Sequence, residues 1–244
     1  METCKILGVN VAVTDMDGCV SYLKDNLDKL KGEYVCVCNV HTTVTAYENK
    51  EYAEVQNGAA LCLPDGKPLS SVQKKRGFKD AARVTGPSLM EEILKISAEN
   101  GYRHVFYGST RETLSKMKAN MDEKYKGLSD NCLFISPEFT QTACTESDEA
   151  IEKINSFNAD FIWVGLGAPK QENWMSLHKG RFNAVCIGVG AAFDYFAGNI
   201  KRAPVWMQKL SLEWLYRLIQ SPRLFKRYWH TNMKFIIKAY FKGL

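Results

Sequence analysis

A carboxylate that follows an apolar strand and sits in a glycine turn can take a proton from an attacking hydroxyl. Asp65, in Leu61-Cys62-Leu63-Pro64-Asp65-Gly66, has that setting. Pro-Asp-Gly is also ordinary turn chemistry, so what shares its edge of the sheet decides between the two. Two further apolar runs end in the same way. Phe161-Ile162-Trp163-Val164-Gly165-Leu166-Gly167 leads to Lys170-Gln171-Glu172, and Ala184-Val185-Cys186-Ile187-Gly188-Val189-Gly190 leads to Asp194. Ligands of open α/β sheets bind beyond the carboxyl ends of the strands, so Asp65, Gln171 and Asp194 are expected around one site. Asn39, His41, Thr42 and Thr43 follow the apolar run at 34–38, and either contact substrate or cap the next helix. Arg83 follows the basic loop Lys74-Lys75-Arg76-Gly77-Phe78-Lys79 and precedes a helix start at Val84-Thr85-Gly86-Pro87. A guanidinium beside a helix N-terminus suits phosphate, and a solvated surface loop is the plainer alternative.

Two other patterns invite chemistry and lack the rest of it. Thr14-Asp15-Met16-Asp17-Gly18 resembles the Asp-x-Asp-Gly nucleophile loop of haloacid-dehalogenase-type phosphatases. No later Gly-Asp or Asp-Asp pair completes a magnesium site, so Thr14 or Asp15 reads more simply as the cap of a helix at 16–30. A magnesium-dependent phosphohydrolase using Asp15 and Asp17 stays as an alternative function. Gly188-x-Gly190-x-x-Phe193 lacks the third glycine of a dinucleotide fingerprint.

These residues must be carried by strands. Apolar runs of strand length recur at 34–38, 59–63, 103–107, 132–135, 160–166 and 183–189, and helical periodicity appears at 43–56, 87–99, 110–125, 146–157 and 169–178. Such alternation predicts an α/β fold, a Rossmann-like, mostly parallel sheet flanked by helices. A strand or hairpin at 5–13 is expected to add an edge. After Asp194 the pattern is helical only, with one helix expected at about 204–220, a break at Ser221-Pro222 and a second helix from 223 to about 242. The chain therefore divides into a core, 1–200, and a C-terminal helical basic appendage, 201–244.

Charge supports that division. The chain is 244 residues long with net charge +5, yet residues 201–244 hold ten Lys or Arg against one acid, Glu213. On a helical wheel Arg223, Arg227, His230, Lys234 and Lys238 form one stripe, and Phe225, Trp229, Ile236 and Tyr240 form the opposite one, with Met233 beside it. This is the pattern of an interfacial helix on an anionic membrane, and it gives no reason to expect a nucleic-acid partner. A helix packed on the domain with a solvated basic face is the alternative, and an exposed apolar face would also favour a homo-oligomer. A non-catalytic membrane-docking scaffold would share this tail. The N-terminus has no signal-peptide pattern and no run is long enough to span a bilayer, so a cytoplasmic, peripheral location is expected. Eight cysteines fall mostly inside apolar runs, with no Cys-x-x-Cys, and read as reduced buried thiols.

Six segments in one order carry a resemblance. Pro64-Asp65-Gly66, Arg83-Val84-x-Gly86, Val164 to Glu172, Gly188 to Asp194 with Ala197-Gly198, Arg202-Ala203-Pro204-x-Trp206 and Glu213-Trp214-Leu215-Tyr216-Arg217-Leu218 closely resemble the WecG/TagA/CpsF glycosyltransferases, over about residues 6 to 229. The resemblance implies an inverting enzyme at the cytoplasmic membrane face. It would move a sugar from a UDP donor to an undecaprenyl-diphosphate-linked acceptor sugar; in the teichoic-acid branch these are N-acetylmannosamine and N-acetylglucosamine. It makes Asp65 the general base, places Gln171 in the pocket, and turns Arg217 and Arg227 toward phosphate, with Arg223 a further candidate for substrate binding. Pro222-Arg223-Leu224 stands where many members have Pro-Arg-Arg, and Val37-Cys38-Asn39-Val40-His41 replaces a threonine-bearing version. These departures bear on which sugar is used. The sequence has no later Asp-x-Asp of the kind that holds manganese, so the expected chemistry is metal-independent and cofactor-free, with arginines stabilising the departing diphosphate.

Overall fold

The computed structural model describes residues 1–204, 206–207, 212–221 and 225–241, with only the backbone at 226, 227 and 241. The first strands, β1 (Thr3–Ile6) and β2 (Val9–Ala12), pair antiparallel. The site rests on the strands that follow: β3 (Tyr34–Cys38), β4 (Leu61–Pro64), β5 (His104–Gly108), β6 (Cys132–Ile135), β7 (Phe161–Gly165) and β8 (Val185–Gly188). They form one sheet in the order β4-β3-β8-β7-β5-β6, with every neighbouring pair parallel. Tyr34, Cys36 and Cys38 of β3 join one buried cluster with Ile162, Val164 and Cys186, whereas Val35 and Val37 join the opposite one with Phe161, Trp163 and Ile187. Both faces are dry, which is why the strands read as unbroken apolar runs.

The helices are α1 (Met16–Asp25), α2 (Val40–Glu48), α3 (Lys50–Asn57), α4 (Lys67–Lys75), α5 (Gly86–Asn100), α6 (Arg111–Lys124), α7 (Asp148–Ser156), α8 (Lys170–Leu177), α9 (Ala192–Phe196), α10 (Glu213–Gln220) and α11 (Phe225–Phe235), the last running into a wider π-helical turn, Ile236–Phe241. The single helix expected at 43–56 is two, because the Asn49 side chain accepts from the Tyr52 amide at 3.0 Å and starts a new helix there. The helix expected at 16–30 ends at Asp25, and a short 3₁₀ turn, Leu27–Leu30, follows. Helix α4 had no counterpart in the sequence reading. Its buried face, Leu69, Val72 and Gln73, is short and flanked by lysines, so the period is weak. The N-terminal hairpin does not extend the parallel sheet. It stands as its own two-stranded sheet, and the Gln73 amide donates to the carbonyls of Val11 and Ala12 at 3.3 and 2.9 Å.

The tail packs on α2. Phe235 and Ala239 belong to the same buried cluster as β3 and α8, Lys234 pairs with Glu48, and Lys238 lies 5.2 Å from the Tyr47 ring centroid. Part of the basic stripe thus faces a core helix. Tyr240 turns inward, its hydroxyl donating to the Pro68 carbonyl at 3.4 Å, and so leaves the apolar stripe that the wheel gave it. Phe225, Trp229, Met233, Ile236 and Ile237 stay exposed, continuous in character with Trp206, Trp214, Leu215 and Ile219. No helix among the described residues is long and apolar enough to cross a membrane.

Candidate active site

The carboxyl ends of β4, β3, β8 and β7 open into a cleft of about 750 Å³, closed on its far side by α10 and α11. Asp65 stands one residue beyond β4. Its amide donates to the Cys38 carbonyl at 2.6 Å, which carries the β3–β4 ladder one step further and points the turn at the cleft. Gly66 follows at φ +99°, a conformation that an L side chain rarely adopts, and there the chain reverses into α4. Burial pushes the Asp65 carboxyl up to about 6; Arg83 pulls it down, Glu213 pushes it up, and Arg217 and Arg202 pull it down more weakly. A carboxyl near 6 is ionised at neutral pH and still basic enough to accept a proton.

Arg83 reaches the cleft because the next residue is pinned: the Val84 amide donates to the Pro64 carbonyl at 2.8 Å. Its guanidinium Nη2 donates to Glu213 Oε2 of α10, also at 2.8 Å. Arg202 approaches the other oxygen of Glu213 at 3.9 Å, lies 3.7 Å from Glu91 and donates to Ser88 Oγ at 2.6 Å. Glu213, the only acid of the tail, therefore fastens α10 to the core. One turn later Arg217 lines the cleft and acts on Asp65. Tyr228, Thr231, Asn232 and Tyr240 add a polar wall from the end of the chain.

The first loop of the site is set by a cap. Asn39 Oδ1 accepts from the His41 and Thr42 amides at 2.9 and 3.2 Å, and the Asn39 amide donates to Thr42 Oγ1 at 2.9 Å. Asn39, His41 and Thr42 line the cleft. Thr43 does not; it is fully buried and its hydroxyl donates to the Asn39 carbonyl at 2.9 Å. Capping and cleft lining are thus combined in Asn39. Across the floor, the Gln171 amide is held between the Gly190 amide and Glu172. Asp194, in the first turn of α9, lines the cleft and accepts from Asn199 Nδ2 at 3.2 Å.

The cleft brings together Asp65, Asn39, Arg83, Gln171, Asp194 and Arg217. Arg223 and the side chain of Arg227 lie outside the described residues. Asp15 and Asp17 are elsewhere: Asp15 Oδ1 caps α1 by accepting from the Gly18 amide at 2.8 Å, and neither lines the cleft. Among the described residues no group of three or more His, Cys, Asp or Glu is placed to hold a metal ion. All eight cysteines are unpaired, and six of them are buried. Sequence reasoning passed over Glu172 and Glu213. The signals were present, a carboxylate adjoining Gln171 and one acid in a basic tail, but each has meaning only with its partner in place.

A model of the glycosyl transferase WecG/TagA/CpsF family matches residues 4–244. Among curated proteins, an N-acetylglucosaminyldiphosphoundecaprenol N-acetyl-beta-D-mannosaminyltransferase of Bacillus subtilis (strain 168) is 28% identical over 229 residues, covering 93% of this chain and 87% of its own. A protein of the same name from Staphylococcus aureus (strain MW2) is 29% identical over 221 residues, covering 88% of this chain and 84% of its own.

Proposed function

The chain belongs to the WecG/TagA/CpsF family of glycosyl transferases, and from that premise we propose that it moves N-acetylmannosamine from a UDP donor to N-acetylglucosamine on undecaprenyl diphosphate, with inversion at the anomeric carbon. Its reaction class is transfer of a hexosamine in cell-wall polymer synthesis of the teichoic-acid type. The observation that carries the mechanism is Asp65, a carboxyl raised to about 6, in one cleft with Gln171, Arg83 and Arg217.

In the proposed step an acceptor hydroxyl oxygen bonds to the anomeric carbon while the bond from that carbon to the diphosphate oxygen breaks. Asp65 takes the hydroxyl proton, and the electron pair leaves with UDP. Fixed positive charge where negative charge develops lowers the barrier, and Arg217 supplies it without the aid of a metal ion. Arg83 is shared with Glu213, so a diphosphate arriving there must draw on a guanidinium already half engaged. Asn39 and Asp194 are left to contact the sugar nucleotide. Arg223 and Arg227 are proposed to meet phosphate from the tail.

The acceptor is anchored in a bilayer, so the enzyme must come to the membrane surface. The exposed apolar residues of α10 and α11, among them Ile219 and Trp229 at 69% and 64% exposure, fit a peripheral attachment at the cytoplasmic leaflet with the cleft beside it. In water the same face is open to a second copy of the chain.

The test is release of UDP from UDP-N-acetylmannosamine in the presence of a short-chain prenyl-diphosphate-N-acetylglucosamine, with Asp65→Asn as control and the anomeric configuration of the product read by NMR. Turnover by D65N equal to that of the parent, or retained configuration, refutes the mechanism. Activity abolished by EDTA and restored by Mn²⁺ refutes its metal independence.

A further inference from the structure

Gln171 is bracketed by two neighbours of opposite hydrogen-bonding character. Its Oε1 accepts from the Gly190 amide at 3.0 Å, and its Nε2 donates to Glu172 Oε1 at 2.9 Å. The amide of a glutamine is nearly symmetric in shape, so hydrogen-bond chemistry decides which end lies where. A backbone N–H requires the oxygen and an ionised carboxylate requires the NH₂, and one orientation alone meets both. The amide also lies tightly on the sheet: a Cβ at Gly188 would come within 3.0 Å of Gln171 Nε2. Gln171 is 4% exposed and Glu172 is wholly buried, its carboxylate set between the Gln171 amide and the Tyr52 hydroxyl. An NH₂ group has two hydrogens, and Glu172 takes one of them.

We propose that Glu172 is a positioning residue, which fixes the Gln171 amide so that an N–H, and not the carbonyl oxygen, is presented to an oxygen of the sugar nucleotide. This rests on reading the cleft as the donor site. Loss of the carboxylate leaves Gly190 to hold one end only. With one anchor in place of two the amide flips part of the time, and the acceptor it then turns to an anionic ligand is repelled.

Two readouts separate positioning from packing. Burial, opposed by hydrogen bonds from Gln171, from its own backbone amide and from Tyr52, pushes the Glu172 carboxyl up to about 6. The side-chain NH₂ resonances of Gln171, identified in ¹⁵N-labelled protein by their loss in Gln171→Met, are expected to shift with a midpoint near that pH. The other titratable groups around Glu172 are Tyr52, Cys36, Cys38 and Cys62, and a Glu172→Gln variant, which should show no such step, isolates its titration from theirs. In the transfer assay E172M, which offers no acceptor, should lose about 100-fold in turnover, the lower end of what losing a single preorganised donor costs. E172Q still offers an amide oxygen and should recover most of that loss. Because Glu172 acts through Gln171, the Q171M/E172M double variant should be no worse than Q171M alone.

Additive losses, an E172M enzyme as active as the parent, or an unshifted Gln171 resonance overturn the proposal. E172Q keeps the side-chain volume and removes a buried charge, so it folds. If E172M does not fold, the E172Q turnover and titration decide, and an inactive E172Q with parental thermal stability refutes positioning. A parent chain with no transfer activity counts against the donor-site reading, while the resonance titration still decides the orientation.

Discussion

Asp65→Asn should give a protein that is more stable and nearly inactive. The fold raises this carboxyl from 3.8 to about 6, so the native state binds a proton that the unfolded chain has released, and stability falls as pH rises between those values. Integrated to neutral pH, a shift of about two units costs about 3 kcal/mol, and an isosteric neutral amide escapes it. Asp65 is partly exposed, which lowers the recoverable share, and about 1.5 kcal/mol is a fair expectation after solvent screening. For a chain of this length that is a gain in Tm of about 3 to 6 °C. At pH 5 the parent carboxyl is already mostly protonated in the fold, and the gain should shrink to about half. Turnover should fall about 100-fold to 10,000-fold, the range general-base catalysis supplies. Differential scanning fluorimetry of both proteins at pH 5 and 7.5, alongside UDP release, reads all three quantities. A D65N protein less stable than its parent at pH 7.5, or a difference in Tm that does not change with pH, would mean that Asp65 is not the desolvated carboxyl of this cleft.

Turnover of the parent should rise with pH through about 6 as Asp65 ionises, and a flat profile from pH 5 to 8 would exclude it as the base. Gly66→Ala forces a side chain into φ +99° at the turn that aims Asp65, and should cost about 1–2 kcal/mol by denaturant unfolding together with most of the activity. The paired change Ile219→Glu and Trp229→Glu alters exposed positions only; it should abolish co-sedimentation with anionic liposomes while Tm stays within about 1 °C, and unchanged sedimentation would remove the tail face from the membrane account. Glu213→Ala frees α10 from Arg83 and Arg202, and its defect should be no larger than that of Arg217→Ala and not additive with it, because the carboxylate works by holding that helix over the cleft.

Strands covered on both faces leave continuous apolar runs, so the parallel sheet and the edge that carries Asp65, Gln171 and Asp194 were legible from sequence. The boundaries that moved did so for local reasons. Asn49 diverts the backbone by capping, and α4 is short with lysines on either side of its apolar positions. Thr42 and Thr43 show the limit at the level of single residues. They are adjacent, chemically alike and both buried, yet helix rotation sets Thr42 against the cleft wall and Thr43 away from it. Likewise a helical wheel sorts the tail into two stripes, whereas α11 has a core to pack on and needs a third face, Thr231, Phe235 and Ala239.

What the sequence determined by itself was the order of the strands along the chain, the residue types at their ends and the concentration of positive charge after residue 200, because these depend on composition and on periods of a few residues. Which groups meet was decided by tertiary structure. Glu213 on Arg83, Glu172 on Gln171 and the raised carboxyl of Asp65 each join segments or require a desolvated setting that exists only after folding, and the Arg83–Glu213 pair spans 130 positions of chain. Coulomb attraction and desolvation act through space, so no local pattern encodes them.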